Sequence, residues 1–270
     1  MALERMSYKF KGAGHEEPEG KRKYEKPSAP LRKVFEKFLE MQPNDHDEAY
    51  KMARYLTRKL KIDLHEAQFL LHDCPERTKA GGATWSGIFI SAIYNRHPEK
   101  YIVFDFDAEN PPVKLGFKLS RDRVLINRGT VDSFLGLRAD GLIINCGEAS
   151  GLIGFNSKAT VINYGSAGMG LGNKNEGLVI NCGEAESIGT GISTVLAVKH
   201  PDNYSDIGSK GKTLLEEQCA KMPELIEFLN TFKKKLDKDH IAALKELGNN
   251  PKKTIEDKIK EILKRNGYEI

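Results

Sequence analysis

The stretch Asn-Cys-Gly-Glu-Ala occurs twice, at 145–149 and 181–185, so the chain repeats a thiol and a carboxylate in one arrangement. Two thiols, Cys146 and Cys182, are the raw material of a disulfide or a shared metal ion. Two carboxylates, Glu148 and Glu184, are that of a glycosidase acid–base pair. His65 and His72, followed by Asp73 and Cys74, form a second group of ligand-type residues. Their spacing is seven, whereas a helical metal pair sits at i and i+4, and no Cys-x-x-Cys occurs. The glycine-rich 165–172 (GSAGMGLG) lacks the Lys-Ser/Thr and the helix that a phosphate-cradling loop needs. Whether any of these groups can act together depends on how the chain spaces them.

The spacing is set by an internal repeat. Asn127, Asn145, Asn163 and Asn181 recur every 18 residues, as do Ile126, Ile144, Ile162 and Ile180. Gly129, Gly147, Gly165 and Gly183 keep the same period, and Gly136, Gly154 and Gly172 add a fourth column. A short fixed period of β-branched runs and glycine corners marks a stacked coil, a parallel β-helix. The isoleucines are expected to fill the core, the glycines to turn corners at positive φ, and the asparagines to form a ladder. An apolar residue every six positions, the mark of the left-handed hexapeptide coil, fails at Asp132 and Arg138, so a right-handed coil is expected. Coils rise about 4.8 Å each, so Cys146 and Cys182 should lie about 9.6 Å apart. That exceeds the ~7 Å limit for a disulfide, and Tyr164 falls between them. Neither a disulfide nor a metal site is expected there. Glu148 and Glu184 share that separation, near the upper limit for an inverting pair, and read as a solvated corner.

The coils, and Val161–Gly191 above all, resemble the glycine-rich GXGXG β-helix domain found at the C-terminus of glutamate synthase and in the formylmethanofuran dehydrogenase C subunit. The likeness covers about 75 of the 270 residues. It implies a structural or subunit-linking element and no catalytic residue.

The fold class that follows is α+β: a right-handed parallel β-helix of four to five 18-residue coils over 99–205, with helical segments at 31–98 and 206–270. Asn44 or Asp45 is expected to cap the first internal helix and Asp63 the next, and 84–98 reads as a buried helix. Thr213 with Glu216 has the capping-box pattern, Pro223 can open the next helix, and the last runs from Thr254 to about Arg265.

Charge points to a partner. Residues 1–33 hold nine Lys/Arg and five Glu, an excess equal to the whole net charge of +4. Residues 1–30 are polar and read as a flexible arm. There Tyr8, Phe10 and Tyr24 alternate with Lys9, Lys11, Lys21, Arg22 and Lys23, a mixture suited to phosphate pairing and base stacking. Lys51, Arg54, Arg58 and Lys59 add a basic helix face. The expected function is a non-enzymatic scaffold that binds RNA or a ribonucleoprotein such as the ribosome, as a dimerisation or hibernation-type regulator, with no cofactor and no metal. The alternatives are a structural subunit of a metabolic enzyme complex and a carbohydrate-active enzyme using Glu148 and Glu184. Short coil stacks need their ends covered, so a homo-oligomer is expected. No run of 18 apolar residues and no secretory h-region occur, which predicts a cytoplasmic protein with reduced cysteines. Gln appears only at 42, 68 and 218 among abundant Lys and Glu, a thermophile-like bias.

Overall fold

The structure is a computed structural model that describes residues 27–73, 82–105, 111–191, 193–199, 201–202 and 212–268. Four helices come first: α1 (Ala29–Glu40), α2 (His46–Thr57), α3 (Leu64–Asp73) and α4 (Gly82–Tyr94). Their starts follow the sequence. The Asp45 carboxylate accepts from the Asp47 and Glu48 amides at 2.8 Å, and Asp63 accepts from His65 at 2.7 Å and Glu66 at 3.2 Å. Each satisfies amides that a helix leaves unpaired in its first turn.

The repeats build a parallel β-helix. One sheet contains β1 (Tyr101–Phe104), β2 (Val124–Asn127), β4 (Leu142–Asn145), β6 (Thr160–Asn163), β8 (Leu178–Asn181), β10 (Thr194–Ala197) and β11 (Lys212–Leu214), in that order. A second contains β3 (Thr130–Val131), β5 (Glu148–Gly151), β7 (Ser166–Met169) and β9 (Glu184–Ala185). Four coils thus give a strand to both sheets, and every pairing is parallel. The 18-residue register is kept from Asn127 to Asn181. It loosens at the ends, where Tyr101 pairs with Val124 and Leu178 with Thr194.

Inside the coils the asparagines form the ladder the repeat predicts. Each Nδ2 donates to the next Oδ1 at 2.7–2.8 Å, from Asn127 through Asn145 and Asn163 to Asn181. Each also donates to a carbonyl of the following coil: Glu148, Ser166, Glu184 and Lys199. In the first coil Phe104 holds this register position, so the Asn127 Oδ1 is buried without a partner.

Two expectations are corrected. The isoleucine column does not fill the coil. Side chains alternate across a strand, and Leu125, Ile143, Val161 and Val179 take the interior with the asparagines, while Ile126, Ile144, Ile162 and Ile180 face outward under the C-terminal helices. The two glycine columns also differ. Gly136, Gly154 and Gly172 have φ of +73°, +67° and +72°. Gly165 is required by close approach, because a Cβ there would lie 2.1 Å from the Gly147 carbonyl oxygen.

The helices cover different parts of the stack. α4 closes the N-terminal end: Ser91 Oγ accepts from the Phe117 amide at 3.0 Å, and Asn95 bonds the backbone of Lys118 and Ser120. These side chains take the place of a preceding coil. Continuity with the coil interior explains why α4 is buried along Ile88–Tyr94. The Asp47 carboxylate ties α2 to the corner through Lys118 at 2.8 Å and Arg138 at 3.2 Å.

α5 (Glu216–Ala220), α6 (Pro223–Glu246) and α7 (Pro251–Arg265) cover the outer face of the seven-stranded sheet. Pro223 opens α6, a break at Asp239 (φ −156°) divides it, and Asn250 caps α7. Thr213 lies in β11 rather than capping a helix; α5 begins after Leu215, whose amide donates to Gln218 Oε1 at 2.6 Å. The buried outward isoleucines contribute roughly 2 kcal/mol each, more than the exposed ion pairs of these helices, at ~0–1 kcal/mol each. One buried polar anchor adds to them. Lys252, 6% exposed, donates to the Asp140 carbonyl, the Asp140 carboxylate and the Lys158 carbonyl at 2.7–2.8 Å. No helix among the described residues is long and apolar enough to cross a membrane.

The ladder has a graded cost. Asn145→Ala removes bonds on both sides, and urea unfolding should show a loss of about 3 kcal/mol. Asn127→Ala also removes an orphan oxygen and should cost less. An equal or reversed order would show that the ladder does not carry the stability assigned to it.

Candidate functional site

The candidate site is the basic face of α2. Ala49 and Ala53 are buried, with Met52, Leu56 and Leu60 packed against the same core. This apolar stripe turns Lys51, Arg54, Tyr55 and Arg58 outward at i, i+3, i+4 and i+7, with Lys59 beside them; all five are exposed. Tyr55 is 60% exposed, and the Arg58 guanidinium carbon lies 3.9 Å from its ring centroid. The acidic residues of α2, Asp47 and Glu48, occupy its first turn. Among the described residues no ion pair engages Lys51, Arg54, Arg58 or Lys59. Four cations of the coils are paired with carboxylates instead: Lys118 and Arg138 with Asp47, Lys158 with Glu176, Lys199 with Glu184.

Arg96 completes the C-terminal end of α2. Its guanidinium donates to the carbonyls of Arg54 (3.2 Å) and Arg58 (2.8 Å) and to Thr57 Oγ (3.0 Å). The two carbonyls are groups the last turn of a helix leaves without partners. The guanidinium is thereby immobilised, and its charge is added to an already positive end. Lys61 and His97 stand next to it.

Of the residues singled out from sequence, Lys51, Arg54, Arg58 and Lys59 come together on this face, and Asn127, Asn145, Asn163 and Asn181 form the ladder. Tyr8, Lys9, Phe10, Lys11, Lys21, Arg22, Lys23 and Tyr24 lie outside the described residues, as does Cys74. Tyr55 was legible in the spacing of Lys51 and Arg58 but was not among the residues singled out. Arg96 was not legible, because its contacts span 38–42 positions.

The residues that opened the sequence reading behave differently. Glu148 and Glu184 align across Ser166 on the second sheet, both exposed, with Glu184 paired to Lys199 at 3.5 Å. Cys146, Tyr164 and Cys182 project outward beneath α6, and the Tyr164 hydroxyl donates to the Leu229 carbonyl at 2.9 Å. Cys146, Cys182 and Cys219 are free thiols. Burial pushes Cys146 and Cys219 up to about 11 and Cys182 to about 12. They therefore stay protonated and weakly nucleophilic.

A second buried polar contact joins α2 to the first coil. Lys114, 8% exposed at φ +63°, places Nζ 2.9 Å from His46 Nε2 and 5.6 Å from the Phe134 ring centroid. For the ammonium to donate, Nε2 must be bare, which puts the imidazole proton on Nδ1. Desolvation lowers the His46 pKa. The positive Lys114 and Arg138 lower it further, against the opposing Asp45 and Asp47.

No protein-family model matches the chain, and no curated protein or solved structure matches it.

Two outcomes follow from these environments. Iodoacetamide at pH 8 should leave Cys146, Cys182 and Cys219 unmodified in the native protein and alkylate them in urea, as read by peptide mass mapping. His46 protonates more readily when unfolded, since its folded pKa is depressed below about 6.5. The stability it supplies is present above that pH and lost as pH falls below it. The melting temperature should fall between pH 7.5 and 5. His46→Gln, which keeps an acceptor for Lys114, should flatten that fall; an unchanged fall would place its cause elsewhere.

Proposed function

We propose that the chain is a non-enzymatic scaffold protein that binds RNA, free or within a ribonucleoprotein such as the ribosome. The observation that carries this reading is the exposed α2 face, where Lys51, Arg54, Arg58 and Lys59 surround Tyr55 with no neutralising carboxylate in ion-pair range among the described residues. Cations in that arrangement suit phosphates, and an exposed ring braced by a guanidinium suits a base. A helix C-terminus adds negative dipole potential, which the cluster and Arg96 more than offset. The basic and aromatic residues of 1–30 extend the same chemistry along the sequence.

The β-helix is the rigid part of the device. Its likeness to the GXGXG domains of glutamate synthase and formylmethanofuran dehydrogenase supports an architectural role for the coils.

With four phosphates contacted, log Kd for a single-stranded RNA should change with log salt at a slope of about 3 in magnitude. The triple reversal Lys51→Glu, Arg54→Glu, Arg58→Glu should weaken binding at low salt by about 100-fold or more, with the melting temperature unchanged. Salt-independent binding, or full binding by the triple variant, would remove this function from α2.

A further inference from the structure

At the C-terminal end of α2 the surface dips into a hollow of about 390 Å³ between that helix and the end of α4. Leu60, Ile62, Ile93 and Pro98 provide apolar walls, while Lys61, Arg96 and His97 supply polar groups. No carboxylate lines it. Arg96 spends three N–H groups on Arg54, Thr57 and Arg58, which leaves two of its five donors, held in direction, for an anion.

Two other depressions lack this character. The cleft of about 760 Å³ beside β1 shares His97 and Pro98, but its cations Lys100, Arg128 and Lys245 are matched by Asp63, Glu99 and Asp105. The groove of about 550 Å³ along α7 is lined mainly by polar residues and holds three carboxylates among its cations, with Lys252 paired to Asp140 at 2.8 Å and Lys158 to Glu176 at 3.2 Å. Of the three, the hollow at α2 alone combines apolar walls with cations and no lining carboxylate.

We propose that this hollow takes one nucleoside phosphate of a single-stranded RNA, turned out of the strand that runs along the α2 face. This rests on the RNA-binding reading and specifies the form of RNA. The volume lies at the lower end of the range for small-ligand sites, ~300–1,000 Å³, and holds one nucleotide. The base lies against Ile62, Ile93 and Pro98. Its phosphate meets Lys61 and the remaining Arg96 donors, and His97 offers a ring for stacking or a donor. The next phosphates continue toward Arg58 and Arg54. A duplex keeps its bases paired and stacked and cannot place one there.

Fluorescence anisotropy with a labelled single-stranded oligoribonucleotide and with its blunt duplex, on the full chain at low salt, tests this. Single strand should bind more tightly than duplex. Lys61→Glu and Arg96→Lys should each weaken single-strand binding about tenfold or more, and by clearly more than they weaken duplex binding. Adenosine 5′-monophosphate should displace the single strand from the wild type. Equal binding of the two forms, wild-type single-strand affinity in both variants, or failure of the nucleotide to compete would overturn the hollow as a site while leaving the α2 reading standing. Absence of any RNA binding by the wild type would overturn both. Arg96 also caps α2, so if Arg96→Lys lowers the melting temperature, the exposed Lys61→Glu variant decides.

Discussion

The asparagine ladder is the constraint on which the rest of the molecule depends. A carboxamide buried in a coil must find both a donor and an acceptor, since an unpaired buried group costs roughly 1–3 kcal/mol. Asn145 and Asn163 meet that demand only if the same residue stands directly above and below. A slip of one residue would break the chain of bonds and turn every interior side chain outward. The ladder therefore enforces the 18-residue register. The close-packed glycines, the interior Leu125–Val179 column and the outward Ile126–Ile180 column all follow from it. Its first member shows the cost of stopping: Phe104 replaces asparagine, and the Asn127 oxygen is left without a partner.

A register this strict produces a stack with an open end and an uncovered apolar face, and the two sets of helices answer these separately. The end presents backbone groups, so it is met by polar side chains of α4, Ser91 and Asn95. The outer face presents isoleucine, valine and leucine, so it is met by the apolar sides of α5, α6 and α7. Arg128, Tyr164 and Lys252 bond backbone carbonyls across the helix–sheet boundary. The seven-stranded sheet consequently separates two hydrophobic cores.

The same division explains where charge is left available. Lys118, Arg138, Lys158 and Lys199 on the coils lie within reach of carboxylates on another coil or on α2, and are paired with them. α2 keeps its carboxylates at its start and its arginines and lysines toward its end. It lends one of them, Asp47, to the coil corner, and the basic half faces solvent beside the hollow at Arg96.

What the sequence determined by itself was periodic and local. Four columns at one spacing sufficed for a parallel β-helix and an asparagine ladder, because stacking identical coils leaves little choice of neighbour. The caps at Asp45 and Asp63, the buried α4 and the basic stripe of α2 were legible for the same reason, since each depends on residues within a turn or two. The repeated Cys-Gly-Glu was also placed correctly, with Tyr164 between the thiols. Tertiary structure alone decided which side of the sheet the isoleucines face, because both faces of these strands are buried and the face that carries the asparagines is the one inside the coil. It decided that Thr213 joins a strand. It also brought Arg96 to the end of α2 and His46 to Lys114, contacts between segments 38–68 positions apart whose partners no spacing can reveal.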